Sequence, residues 1–142
     1  MYDPPNSSAN AFFLWTLRDM LAQDIDTDDN GQPDTLRLMF ATPRRWLADG
    51  QEIKLDRAPT SFGQVSVRVY SKLSSGQVIA DIQPPMRNAP KQTLLRIRLP
   101  EEYVLRSADV EGVAVPFDIR GTMDITPFKD RFTLRCTVAR LQ

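Results

Sequence analysis

One stretch of this chain has residue types and spacing suited to chemistry. It reads Asp26-Thr27-Asp28-Asp29-Asn30-Gly31-Gln32-Pro33-Asp34. Alternate oxygen-bearing residues on a tight turn point inward, and calcium takes six to eight hard oxygens. Asp26, Asp28, Asn30 and Asp34 fall at positions 1, 3, 5 and 9 of a calcium loop, with Gly31 at the sharp turn and the Gln32 carbonyl at position 7. Position 12, where a bidentate carboxylate belongs, is Arg37. The alternative is a solvated turn, because Asp, Asn and Gly are favoured in turns for backbone reasons. Asp24 and Asp29 then lie outside the ligand set. Both readings stand on the sequence.

Two weaker constellations follow. Trp46 beside Arg44 and Arg45, joined by Tyr70 and Tyr103, is a candidate sugar platform; its competitor is packing of Trp46 on a sheet edge. Arg68, Arg96 and Arg98 fall on outward strand positions, where pairing with carboxylates on neighbouring strands competes with binding an anionic sugar. Glu101 and Glu102 are adjacent and in an extended chain point opposite ways, and no other spacing singles out an acid and nucleophile pair for glycoside hydrolysis. No catalytic residue and no cofactor-binding residue is assigned.

Several classes are excluded. The chain has no histidine, which removes Ser-His and Cys-His nucleophiles and histidine-ligated metal sites. Its six glycines are scattered, without a phosphate or dinucleotide loop. Lys and Arg number 18, as do Asp and Glu, so there is no basic balance for nucleic acid. No run of 18 apolar residues spans a membrane. Residues 2–6 are polar, unlike the start of a leader peptide. The one cysteine, Cys136, lies in an alternating apolar register and reads as a buried, inert thiol.

The elements that position these residues are mostly strands. Residues 1–8 read as a linker and 9–23 as a helix, capped by Ser8 or Asn10. Phe13, Leu17, Met20 and Leu21 share one face, and Phe12 and Trp15 extend the apolar surface to another. Such a helix is usually buried on more than one side; it either wedges between sheets of its own domain or lacks a neighbour. Residues 24–35 form the acidic loop. From 36 to 142, short alternating segments separated by Pro, Gly and Ser turns predict an antiparallel β-sandwich. Leu36, Leu38 and Phe40 alternate with Arg37 and Met39, and strands are expected at 103–110 and 113–119. The length, 142 residues, suits one domain. The fold class expected is mainly β, with one N-terminal α-helix.

Three motifs carry a resemblance: Pro43, Arg44, Trp46, Leu47, Asp49 and Gly50 after a short apolar strand; Ala58, Pro59, Thr60, Phe62 and Gly63 leading into a strand; and 94–100, with Arg96 and Arg98, after a proline loop. Over residues 9–142 the chain resembles the C-terminal β-sandwich of bacterial six-hairpin, (α/α)6-barrel glycosidase-like proteins. The resemblance implies that the 9–23 helix is the last helix of a catalytic toroid, that the catalytic carboxylates lie upstream, and that a bacterial parent is secreted or periplasmic. The function implied is a noncatalytic accessory sandwich bracing the (α/α)6 domain of the same parent chain. The alternative is a carbohydrate-binding module tethering the parent to a polysaccharide. Taken alone, the Phe12/Trp15 face is expected to be exposed or covered by a second copy, as a dimer through the helix.

Overall fold

A computed structural model describes residues 7–142. A helix, α1 (Ser7–Leu21), leads into β1 (Ala22–Ile25) and β2 (Thr35–Leu38). After a 3₁₀ turn at Arg44–Leu47 come β3 (Glu52–Thr60), β4 (Gly63–Lys72) and β5 (Gln77–Gln83). The remaining strands are β6 (Gln92–Arg96), β7 (Tyr103–Val110), β8 (Val113–Ala114), β9 (Thr122–Asp124) and β10 (Phe132–Arg140). They form a four-stranded sheet, β1-β2-β6-β9, and a six-stranded sheet, β3-β4-β5-β10-β7-β8. The fold is the mainly β sandwich with one leading helix that the alternation predicts. One strand pair departs from it: β2 and β6 run parallel, because β3–β5 intervene and return the chain to the first sheet from the same end.

Alternation decides which side chains meet. In the six-stranded sheet, Ile53, Val69, Ala80, Leu134 and Val110 form one inward row across five strands. The next row is Ser71, Val78, Cys136 and Ala108. Both rows are buried, and their apolar members belong to one core cluster with the facing sheet. That facing sheet contributes Ala22, Leu38, Leu95 and Met123, a row across all four strands whose members are fully buried. Edge strand β3 carries Pro59 and a bulge after Leu55. Its Arg57 has φ 47° and donates its N–H to Ser66 Oγ at 2.9 Å. Proline and a bulge both blunt an edge against further pairing.

Several boundaries differ from the sequence reading. The helix spans Ser7–Leu21 and not 9–23, so Ser8 and Asn10 lie inside it and do not cap it. Of the expected linker 1–8, residues 1–6 fall outside the described residues and Ser7 and Ser8 are helical. Ala22 and Asp24 pair with Leu38 and Leu36 as strand, which shortens the acidic loop from 24–35 to 26–34. The Leu36/Leu38/Phe40 alternation fails at Met39, whose φ of 61° turns its side chain into the core and leaves Phe40 half-exposed. Met39 N–H donates to the Leu21 carbonyl at 2.8 Å, and Ala41 N–H to the Met20 carbonyl at 3.3 Å. The end of β2 thus satisfies helix carbonyls that have no partner within α1. The strand expected over 113–119 stops at Ala114, since Pro116 has no N–H to give a ladder.

Helix α1 does not wedge between the sheets. Phe12, Phe13, Leu14 and Trp15 are 64, 68, 63 and 62 % exposed. Leu21 alone of its residues is buried. Phe13, read on the face shared with Leu17, Met20 and Leu21, stands as open as Trp15. Arg18 anchors the last turn, donating to the Pro59 carbonyl at 2.9 Å.

Candidate functional site

Antiparallel β1 and β2 hold the ends of the 26–34 loop together: Asp34 N–H donates to the Ile25 carbonyl at 2.9 Å. Within the loop, one carboxylate oxygen from each of Asp26, Asp28 and Asp34 lies within 4.8 Å of the others. So three of the five residues singled out from the sequence converge. Asn30 instead closes the turn: its Oδ1 accepts the Gln32 N–H at 2.8 Å. Gln32 is exposed. Arg37, at the position where a calcium loop closes, lies over the Phe40 ring, 5.3 Å from Cζ to centroid.

Most lone pairs in the cluster are engaged. Asp26 accepts the N–H of Asn30 at 3.2 Å and of Gly31 at 2.6 Å. Buried Asp34 accepts hydroxyls from Thr35 and Thr27, each at 2.7 Å, and the Thr27 N–H at 3.2 Å. The Thr35 and Thr27 hydroxyls hold the Asp34 carboxyl below the ordinary aspartate range. Asp28 meets the Lys91 ammonium at 3.2 Å. Hydrogen bonding and the charge of Asp28 hold Lys91 above the ordinary lysine value, with smaller help from Asp34 and Asp26. Lys91 N–H also donates to the Asp34 carbonyl at 2.8 Å.

Lys91 is the residue that sequence reasoning misses. It lies 63 positions from Asp28, at the end of the proline loop, and no local spacing links the two. The pairing of β2 with β6 brings it there. The loop therefore already has a counter-ion. Asp26, Asp28 and Asp34 have the oxygen chemistry to hold a hard cation, but such a cation meets Lys91 at Asp28. Asp24, left aside in the sequence reading, accepts the Ser61 N–H and hydroxyl at 2.9 and 2.8 Å and ties β1 to the β3–β4 hairpin. Asp29 is exposed with φ 56°.

The aromatic constellation disperses. Trp46 is half-buried and packs on the core cluster, beside Leu21 and Ile53. Tyr103 lines a different cleft with Arg44 and Arg45, and Tyr70 lies under the Lys72 ammonium. Of the three outward arginines, Arg68 pairs with Glu52 through two bonds of 2.8 and 3.1 Å. Arg96 and Arg98 pair with no carboxylate among the described residues. Arg96 Nε donates to Thr122 Oγ1 at 2.8 Å, and Arg98 donates to the Thr42 carbonyl at 2.9 Å. Cys136 is buried in β10, and that burial pushes its thiol up to about 12.

One open cleft, about 550 Å³, is lined by charges of both signs: Asp109, Glu111, Arg131 and Arg135, with Phe132 its one aromatic. Asp109 Oδ1 is already engaged by the Gly112 N–H at 3.1 Å. None of the described helices is long and apolar enough to cross a membrane. Comparison with protein families, with curated proteins and with solved structures gives no match to this chain.

Proposed function

We propose that this chain is a noncatalytic accessory β-sandwich that braces a neighbouring domain through its leading helix. The carrying observation is the open run Phe12-Phe13-Leu14-Trp15. Successive helical residues step about 100° round the axis, so four in a row expose apolar surface on nearly every side. Fully burying each such side chain is worth about 1.5–3 kcal/mol. The sandwich core is complete without them, so the gain has to come from a partner. The resemblance of the three motifs supplies its identity: the (α/α)6 catalytic domain of a glycoside hydrolase-like parent, with α1 as the last helix of its toroid.

A carbohydrate-binding role has less support. Such a module presents aromatics together on one surface, whereas Trp46, Tyr70 and Tyr103 are separate and half-buried.

The test is to extend the reading frame upstream of Met1 and purify the longer product. The expected product contains a helical toroid, protects the amides of residues 7–21 from hydrogen exchange, and shifts Trp15 emission to the blue. A frame that encodes no helical-hairpin domain, or a longer product in which Trp15 stays solvent-exposed, overturns the reading.

A further inference from the structure

The outer face of the four-stranded sheet carries four arginines that no ion pair answers among the described residues. Cross-strand register places Gln23, Arg37, Leu94 and Asp124 in one outward row, and Arg96 beside Thr122 in the next. Two guanidinium groups share one ring: Cζ of Arg96 and of Arg37 lie 4.0 and 5.3 Å from the Phe40 centroid. Arg98 follows along the same strand direction. Arg120 sits across from it, in the turn whose Gly121 carbonyl accepts the Ile97 N–H at 2.9 Å.

None of these four arginines forms an ion pair among the described residues. Arg37 Nε is shielded from solvent and has no hydrogen-bond partner. The nearby carboxylates Asp118 and Asp124 offset part of the charge but form no ion pair with these arginines. Asp118 Oδ1 accepts the N–H groups of Arg120 and Thr122, both at 2.9 Å. Asp124 accepts from Gln92 at 3.2 Å and from the Thr126 N–H at 2.9 Å. Burial holds Arg96 below the ordinary arginine value. Asp118 opposes this, and the charges of Arg120, Arg98 and Arg37 add to it. On the other sheet, the outward Arg68 has its two-bond partner in Glu52. A buried guanidinium N–H without an acceptor is costly, and like charges on neighbouring strands destabilise a sheet.

We propose that this face is a binding site for a small ligand bearing an oxyanion, a carboxylate, sulfate or phosphate group, held by Arg37, Arg96, Arg98 and Arg120 around Phe40. Guanidinium forks match such groups geometrically. The formal net charge is zero, so the chain as a whole has no basic surplus for a long polyanion, and four arginines suit a single anionic group. The proposal does not depend on whether a domain covers α1.

The experiment follows the arginine Nε–Hε resonances of the whole chain by NMR. Inorganic phosphate, sulfate and glucuronate are titrated separately, each against chloride at matched ionic strength. Arg37 and Arg96 are expected to shift saturably with at least one of them, and the responding arm tells phosphate and sulfate from carboxylate. Arg96→Gln and Arg98→Gln should each weaken that binding by about tenfold or more. Asp118→Asn should tighten it, because it removes a competing negative charge. If Arg96→Gln fails to fold, exposed Arg120→Gln and Asp118→Asn decide. Shifts that only track chloride, or saturable binding that Arg96→Gln, Arg120→Gln and Asp118→Asn all leave unchanged, overturn the proposal.

Discussion

At position 121 a side chain has nowhere to go. Gly121 has φ 77°, and a Cβ there would stand 2.5 Å from the Ile97 carbonyl oxygen. Gly50 has nearly the same φ, 78°, but open space around it. Gly121→Ala should therefore cost more than Gly50→Ala, by about 1–3 kcal/mol for the added backbone displacement. Denaturant unfolding of the two variants measures this, and equal losses would show that the close approach carries no weight. Cys136 gives a second residue-scale test. Burial raises its folded pKa to about 12 from an ordinary 9.0. Below the unfolded value both states keep the proton and nothing is lost. Above it the unfolded chain ionises first, so stability falls as pH rises from about 9 towards about 12. The slope approaches about 1.4 kcal/mol per pH unit. Cys136→Val should flatten that alkaline decline in a series of unfolding curves. The native thiol should resist Ellman's reagent until the chain is denatured.

Elements set the fate of the acidic loop. Lys91 reaches Asp28 from the end of the proline loop, so removing its charge should free Asp28 and take away the ammonium that competes with a cation beside Asp26 and Asp34. Lys91→Gln is expected to show a larger rise in melting temperature on exchanging EDTA for millimolar Ca²⁺ than the unaltered chain, because a ligand that binds only the folded state stabilises it. No shift in either protein would leave the loop an ordinary acidic turn, and equal shifts would show that Lys91 does not compete with the cation. Helix α1 makes its own prediction. An exposed apolar patch promotes association, so the isolated chain should sediment as a reversible dimer that Phe12→Ser with Trp15→Ser weakens. A monomer at all concentrations would contradict this. The sequence made the strands legible because period-two alternation survives wherever one face is buried, as in Val65, Val67 and Val69. It hid three things. Met39 adopts a left-handed conformation that no glycine announces. Lys91 meets Asp28 only through a parallel pairing, and β8 is cut short by Pro116 inside an otherwise apolar run. The carboxylate convergence was legible from spacing and so were the outward Arg96 and Arg98; the lysine that answers the carboxylates was not, nor was the joining of Arg37 and Arg120 to that face, which needs the register of β2, β6 and β9.

For the molecule as a whole, the expected catalytic result is silence. On the accessory reading, a purified sample should hydrolyse no aryl glycoside, because the resemblance puts the catalytic carboxylates upstream of these residues. Turnover that persists through purification and disappears with a single Asp→Asn change would contradict the accessory reading. The architecture also has a consequence for how the protein is made. Strand β10 lies between β5 and β7, yet follows both in sequence. On the ribosome, β5 must wait for residues 84–131 to be translated, a few seconds at roughly 5–20 residues per second. Until β10 arrives, β5 leaves one unpaired hydrogen-bonding edge on β3-β4-β5, and once residues 103–114 are made β7 leaves a second; such edges recruit other chains. The nascent protein is thus most exposed to aggregation just before its last neighbour strand arrives, and synthesis slowed over 84–131 should lower the soluble yield without changing the stability of the molecules that finish.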